Sequence, residues 1–325
     1  MAQDTKRILM TGAAGQIGSE LAQALRAKYG RDNVLVTDVI RPPAALAEAG
    51  PFETVDVTDG AGLDALVVKF GADTVYHLAA LLSATGEKNP QKAWAVNMNG
   101  LYNVLEIGRA RGLRRIFTPS SIAVFGPTTP RERTPQDTAL APTTIYGVTK
   151  VAGELLGDYY VLKYGLDVRG CRYPGIISHM TPPGGGTTDY AVAIFYEAVK
   201  RGRYTCFLRE ATRLPMMYMP DCLKCTLDLM DADFGRLRHH AGFNVTAMSF
   251  SAGELAAEIR KHIPAFEVRY EPDYRQAIAD SWPASIDDSA ARAEWDWKPD
   301  YDLAAMTADM LSALHARLAA GTLTV

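Results

Sequence analysis

Along the first half of the chain two hydrophobic rhythms alternate. Short apolar runs at 7–11, 33–38, 74–78, 115–119 and 167–172 stop at glycine, proline or polar positions and predict strands. Between them, 16–29, 63–70, 92–111 and 146–164 space their apolar residues three and four apart, which predicts helices with one buried face. Regular alternation of strand and helix implies crossover connections and a parallel sheet covered on both sides. The expected class is α/β, with a doubly wound sheet.

After Ser178 the rhythm changes. Residues 181–188, TPPGGGTT, can continue neither a helix nor a strand. A helix is expected over 190–200, mixed segments at 218–230 and 242–245, and further helices over 252–262 and 303–320. This divides the chain into a dinucleotide-type domain, 1–178 with about 220–248 returning to the sheet, and a smaller mixed C-terminal substrate lobe, about 179–219 with 249–325. No internal repeat is visible.

Composition narrows the function classes. The 325 residues are 48% hydrophobic and 22% charged, with a formal net charge of -3, so neither disorder nor a nucleic-acid footprint is indicated. The densest basic stretch, Arg109, Arg111, Arg114 and Arg115, fits a solvated helix end. No apolar run approaches the ~20 residues that span a bilayer. Lys6 and Arg7 precede apolar residues too few for a signal-peptide core, so a cytoplasmic location is expected. Cys222 and Cys225 have CxxC spacing, but no second pair or His pair joins them; they read as helix residues, and no metal site is expected.

The chemistry begins at Gly12, Gly15 and Gly18, a GxxGxxG turn between the first strand and first helix. Glycines there let backbone approach a pyrophosphate, and the helix N-terminus favours the negative charge. Asp38 closes the second strand twenty residues after Gly18, where a carboxylate would accept from ribose hydroxyls and repel the extra phosphate of NADP. Asp56 and Val57 would face the adenine. Leu78, Ala79 and Ala80 end the next strand with room for a cofactor. Asn97 sits within the 92–111 helix and either needs a partner there or lies on the surface.

Tyr146 and Lys150 are four apart, on one helix face. A phenol titrates at about 10, and a nearby cation lowers that value, so Tyr146 is the candidate base for a substrate hydroxyl. Ser120 and Ser121 follow a strand end, where ligands of such sheets bind; spacing alone does not choose between them. Residues 184–188 offer backbone N–H groups and hydroxyls suited to a carboxylate, or a hinge over the substrate. Trp282 either walls the site or packs in the second lobe.

Taken together, TGAAGQIG, Asp38, HLAAL, Asn97, PSSIAVFG and YGVTK resemble the extended short-chain dehydrogenase/reductase superfamily, with its Rossmann domain. By its place relative to AVFG, Ser121 matches the superfamily's catalytic serine, and Phe125 stands where a tyrosine is usual. The resemblance implies NAD contacts from Gln16, Ile17, Tyr173 and Ile176, besides the loop glycines, Tyr146 and Lys150. Residues 173–191, YPGIISHMTPPGGGTTDYA, and the SWPASIDDSAAR stretch from Ser281 are similar to the short-chain-type L-threonine 3-dehydrogenase family. That similarity implies oxidation of the 3-hydroxyl of L-threonine by NAD to 2-amino-3-oxobutyrate, which a CoA-dependent lyase cleaves to glycine and acetyl-CoA. It implies substrate contacts at Ser83, Ser121, Tyr146, Thr187 and Thr188. A homodimer through paired helices is the superfamily-level expectation. Two other functions fit the same scaffold: a nucleotide-sugar epimerase, with Arg209 and Arg213 on the diphosphate, and a regulator that senses NAD without catalysis.

Overall fold

The computed structural model describes residues 7–184 and 186–323; Lys6 and Gly185, which figured in the sequence reading, lie outside the described residues. Six strands form a parallel sheet: β1 (Ile8–Thr11), β2 (Val34–Asp38), β3 (Phe52–Thr54), β4 (Thr74–His77), β5 (Arg115–Phe117) and, beyond a short separate strand β6 (Ser120–Ser121), β7 (Val168–Arg169). Their order is β3-β2-β1-β4-β5-β7, so the winding reverses between β1 and β4. Strands β1 and β4 are buried along their whole length, as a sheet covered on both faces requires.

The sheet continues past a kink. A second parallel ladder joins β6, β8 (Cys171–Tyr173) and a strand from much later in the chain, Phe243–Asn244. Gly170 is the pivot: its N–H donates to His240 O, and a Cβ there would fall 2.3 Å from Thr118 O. The later strand and the Met219–Asp231 helix return to this sheet, and the helix packs on the Gln16–Tyr29 helix around Leu21, Leu25, Cys225 and Leu229.

The predicted helix over 92–111 is interrupted. Pro90–Trp94 and Gly100–Arg111 are joined by a π turn, Ala95–Asn99. The cause is long-range. Asn97 is buried; its Oδ1 accepts from Leu81 N (2.8 Å) and its Nδ2 donates to Leu81 O and Thr149 Oγ1 (both 3.1 Å). Gly100 lets the helix settle on Val57, whose Cγ2 would be 2.7 Å from an added Cβ. The surface alternative for Asn97 is thereby excluded.

The remainder holds β9 (Gly175–Ile177), β10 (Arg203–Cys206), β11 (Arg213–Tyr218), the Phe243–Asn244 strand already placed (β12), β13 (Met248–Ser251) and β14 (Glu267–Tyr270). Of these, β13-β11-β9 form one small sheet and β10-β14 another. Helices Tyr190–Arg201, Ala252–His262 and Leu303–Ala319 enclose a core that includes Ile194, Phe195, Leu255, Ile259, Met310 and Leu314. Among the described residues no helix is long and apolar enough to cross a membrane.

Candidate active site

The reversal between β1 and β4 opens a cleft at the carboxyl ends of the strands, where doubly wound sheets bind ligands. Two cavities meet there. One, of about 320 Å³, is lined by Asp38, Asp56, Val57 and Lys92. The other, of about 240 Å³, is lined by Ser83, Ser121, Tyr146, Lys150, Thr187 and Trp282. Gly12, Gly15, Leu78 and Ala80 border both.

The glycine turn fits a dinucleotide. Gly12 has φ +73°, and a Cβ on it would lie 2.5 Å from Ala79 N; one on Gly18 would lie 2.1 Å from Gly12 O. Gly15, by contrast, is exposed at the N-cap of the Gln16–Tyr29 helix, with no side chain over the helix end. Backbone can therefore approach a pyrophosphate. Asp38 Oδ2 accepts from Ala14 N (2.8 Å), which fixes the carboxylate beside the loop. Asp56 Oδ1 is taken by Thr58 N and Oγ1 (2.9 and 2.8 Å). Leu78, Ala79 and Ala80 line the floor, as expected. Lys92 is a cation beside this cavity that no sequence motif marked.

The two serines separate cleanly. Ser120 is buried and donates to Glu154 Oε1 (2.5 Å), which Arg172 also binds through Nε and Nη2. Ser121 faces the cleft, accepts from Ala123 N (3.2 Å) and reaches the Tyr146 phenol. Thr144 caps the Ile145–Tyr164 helix, accepting from Gly147 N, and so starts the turn that carries Tyr146. Lys150, one turn on, donates to Pro119 O (2.6 Å), and its Nζ lies 5.6 Å from the Tyr146 ring centroid.

The electrostatics differ from the sequence expectation. Burial pushes the Tyr146 phenol up to about 12, and the Ser121 hydroxyl offsets only part of that. Burial likewise brings Lys150 down to about 8, against support from the Glu154 carboxylate. The nearby cation therefore does not by itself hold Tyr146 below its ordinary value: loss of water outweighs it.

Other predicted residues fall as follows. Gln16, Ile17, Tyr173 and Ile176 line the cleft, but the Tyr173 hydroxyl points away and bonds Thr226. Ser83, Thr187 and Thr188 also line it; none of their hydroxyls has a hydrogen-bond partner among the described residues. Gly175 leaves room for Thr188, whose Cβ would lie 2.8 Å from an added side chain. The N–H groups of Gly184 and Gly186, expected to meet a carboxylate, instead both donate to Asp189 Oδ2 (2.6 and 2.9 Å). Trp282 is buried in the core that includes Ile194, Leu255 and Met310, and also lines the cleft. Arg209 pairs with Asp280 and Arg213 with Glu254; neither borders the cleft, which removes the diphosphate-binding pair of the epimerase alternative. Cys222 and Cys225 are free, buried helix residues whose thiols burial raises well above the ordinary range.

The model of the NAD dependent epimerase/dehydratase family matches residues 8–238. The chain belongs to this family. Within it, the chain is similar to the mitochondrial L-threonine 3-dehydrogenase of Bos taurus, 51% identical over 95% of this chain and 83% of the relative. It superimposes on the X-ray structure of L-threonine dehydrogenase from Clostridium difficile with a TM-score of 0.95 and 52% identity, covering 97% and 99% of the two chains. A monomeric L-threonine 3-dehydrogenase of metagenomic origin gives 0.91 and 49%, covering 95% and 99%. Membership of this family brings NAD dependence, and the chain shares its Rossmann-type sheet with these dehydrogenase structures.

Proposed function

We propose that the chain oxidises the 3-hydroxyl of L-threonine to 2-amino-3-oxobutyrate, with NAD as acceptor. One observation carries this reading. Three unpartnered hydroxyls, of Ser83, Thr187 and Thr188, surround the Tyr146–Ser121 pair in a cavity of about 240 Å³, room for a small zwitterion. NAD held there would accept the hydride from C3. Tyr146 removes the hydroxyl proton, Ser121 orients the forming carbonyl oxygen, and Lys150 supplies the positive charge that favours the phenolate. The loop glycines with Gln16 and Ile17, and Asp38, Asp56, Val57, Leu78, Ala79, Ala80, Tyr173 and Ile176 hold the dinucleotide; Asn97 acts through Leu81 and Thr149.

The test is NADH formation with L-threonine, its C3 epimer, serine and 3-hydroxybutyrate, with NADP in parallel. L-Threonine with NAD is expected to give the highest kcat/KM. Tyr146→Phe is expected to abolish turnover while NAD still binds; unchanged turnover would sink the assignment of the base.

The same reading includes a homodimer. Val148, Leu155, Tyr159 and Leu162 form an exposed apolar stripe along the Ile145–Tyr164 helix, with Tyr102 exposed on the neighbouring Gly100–Arg111 helix. Stripes of this kind pair helices of two copies. Light scattering on Leu155→Glu/Leu162→Glu should report a monomer where the unmodified chain is a dimer. We also assign 1–178 with about 220–248 to the dinucleotide domain and the remainder to the substrate lobe, and place the enzyme in the cytoplasm, where its four free thiols stay reduced.

A further inference from the structure

Residues 178–180 lead from the sheet to the segment that carries Thr187 and Thr188, and their polar groups are gripped from two sides. On one side stands the Gln16–Tyr29 helix, whose N-terminus faces the dinucleotide site. Gln16 Nε2 donates to Ile176 O (3.4 Å). One turn later, Glu20 Oε1 accepts from Ser178 Oγ (2.5 Å). Gln16 and Glu20 share a helix face, so the helix meets the outgoing backbone at two rungs. Ser178 Oγ in turn accepts from Met180 N (2.9 Å), which fixes the turn out of β9. On the other side, Arg317 of the last helix donates to His179 O and to Met180 O (3.3 Å). The Tyr196 hydroxyl also donates to His179 O (3.0 Å), and Tyr196 belongs to the helix that begins directly after Thr187 and Thr188.

None of these side chains is a plain filler of the core. Glu20 and Arg317 are partly exposed, and the atoms they hold are main-chain carbonyls, one serine hydroxyl and the Tyr196 phenol oxygen rather than other charges. Burial holds the Glu20 carboxyl above its ordinary value, with the Ser178 hydroxyl acting against it, and the bond itself needs only an acceptor oxygen. The connection between the two sites runs from the helix N-terminus through Glu20 and Ser178 to residues 179–180, and from there through the Tyr196 hydroxyl to the helix that Thr187 and Thr188 lead into.

We propose that Glu20 and Arg317 are positioning residues that tie the Thr187–Thr188 segment to the dinucleotide-binding helix, so that dinucleotide and hydroxy substrate strengthen each other's binding. The proposal rests on the assignment of Thr187 and Thr188 to the substrate. Linkage makes the effect reciprocal, and couplings of this kind amount to about 5–150-fold in affinity.

The experiment compares the Kd of L-threonine, by calorimetry on the full-length protein, with and without saturating NADH. The unmodified protein should bind L-threonine at least about fivefold tighter with NADH present. Glu20→Ala, Ser178→Ala and Arg317→Ala should each reduce that factor below about two, raise KM for L-threonine roughly tenfold, and leave kcat within about threefold. NADH affinity measured alone should stay put. Glu20→Gln keeps an acceptor oxygen and should restore the coupling. Coupling that survives in Glu20→Ala overturns the proposal, as does a fall in kcat that tracks melting temperature with KM unchanged. Hydrogen exchange gives a readout that needs no substrate: NADH should protect the amides of 186–189 in the unmodified protein and not in Glu20→Ala. If that protection is seen but L-threonine is not oxidised, the tether stands and the substrate assignment falls. If NADH protects nothing at 186–189, the tether itself is overturned.

Discussion

Replacing Lys150 with methionine isolates what its charge does for Tyr146. The phenol is pushed up to about 12, so near pH 7.5 only about one protein in 30,000 would carry the phenolate on the chain's own groups. The Lys150 ammonium lies 5.6 Å from the ring centroid. At an effective dielectric of about 20 that charge favours the phenolate by about 3 kcal/mol, roughly two decades in rate if proton removal limits turnover. Methionine keeps most of the stem and removes both the charge and the donation to Pro119 O. The assay is kcat/KM for L-threonine from about pH 6 to 10. In the unmodified protein the profile should rise and then bend near 8, where Lys150 sheds its proton and the phenol loses its cation. Lys150→Met should run about a hundredfold lower at pH 7.5 and climb without that bend. A loss under about threefold, or a bend that persists in the variant, would refute the reasoning. The same substitution should raise the melting temperature. The folded-state pKa of Lys150 is lowered from 10.5 to about 8, so its charge destabilises the fold below pH 8, and that penalty fades as pH rises to about 10.5. The gain should therefore be largest near neutrality and absent by about pH 10.5.

Three further outcomes follow from named contacts. Asp38→Ala should raise KM for NAD about tenfold and improve NADP relative to NAD in kcat/KM, because on the proposed reading the carboxylate held by Ala14 N would accept from the ribose and repel a 2′-phosphate. Asn97→Ala leaves the partly buried Leu81 N–H without its acceptor; a cost of about 1–2 kcal/mol should lower the melting temperature by about 2–3 °C and reduce kcat, read by calorimetry and steady-state kinetics. Glu154→Gln leaves the buried Arg172 guanidinium without its counter-charge, a loss of about 3–5 kcal/mol in denaturant unfolding that Glu154→Gln/Arg172→Met should largely recover.

What could be read from the sequence was whatever a local spacing decides. The 16–29 and 252–262 helices were placed to the residue, because their apolar faces and caps are written in consecutive positions. The glycine turn and the Tyr146–Lys150 face are likewise set by i, i+3 and i, i+4 geometry. The break at Ala95–Asn99 was not legible, since it follows from Asn97 reaching Leu81 and Thr149, the latter 52 residues away. The separation of Ser120 from Ser121 depends on Glu154, and Glu154 is fixed by Arg172 from a neighbouring strand. The four-residue strands β10, β13 and β14 carry little pattern, and β10 and β14 are largely exposed, without the apolar run that marks β1 or β4; β11 is six residues and mostly buried, but Pro215 in its middle argues against a strand. The sign of the Tyr146 shift was missed for a related reason: spacing reveals the nearby cation but not how much water the surrounding fold removes.

The turn at 184–192 shows why such losses matter for specificity. Glycines and a helix start suggested a cradle of free N–H groups. In the folded chain the amides of Gly184 and Gly186 go to Asp189 Oδ2, that of Asp189 to Gly186 O, that of Ala191 to Thr188 O and that of Val192 to Asp189 O. Two of the expected amides are thus used up inside the turn, while those of Thr187 and Thr188 make no hydrogen bond to the described residues. Beside those two amides stand side-chain hydroxyls, of Thr187 and Thr188 with Ser83 across the cleft. Hydroxyls donate in a direction set by side-chain rotation and rank below charged donors in strength. Affinity for the amino acid on this reading must come from several such contacts acting together with the dinucleotide already in place. The hold of Glu20 and Arg317 on residues 178–180 then bears directly on selectivity, because a segment displaced by an ångström would lose the Thr187 and Thr188 contacts together.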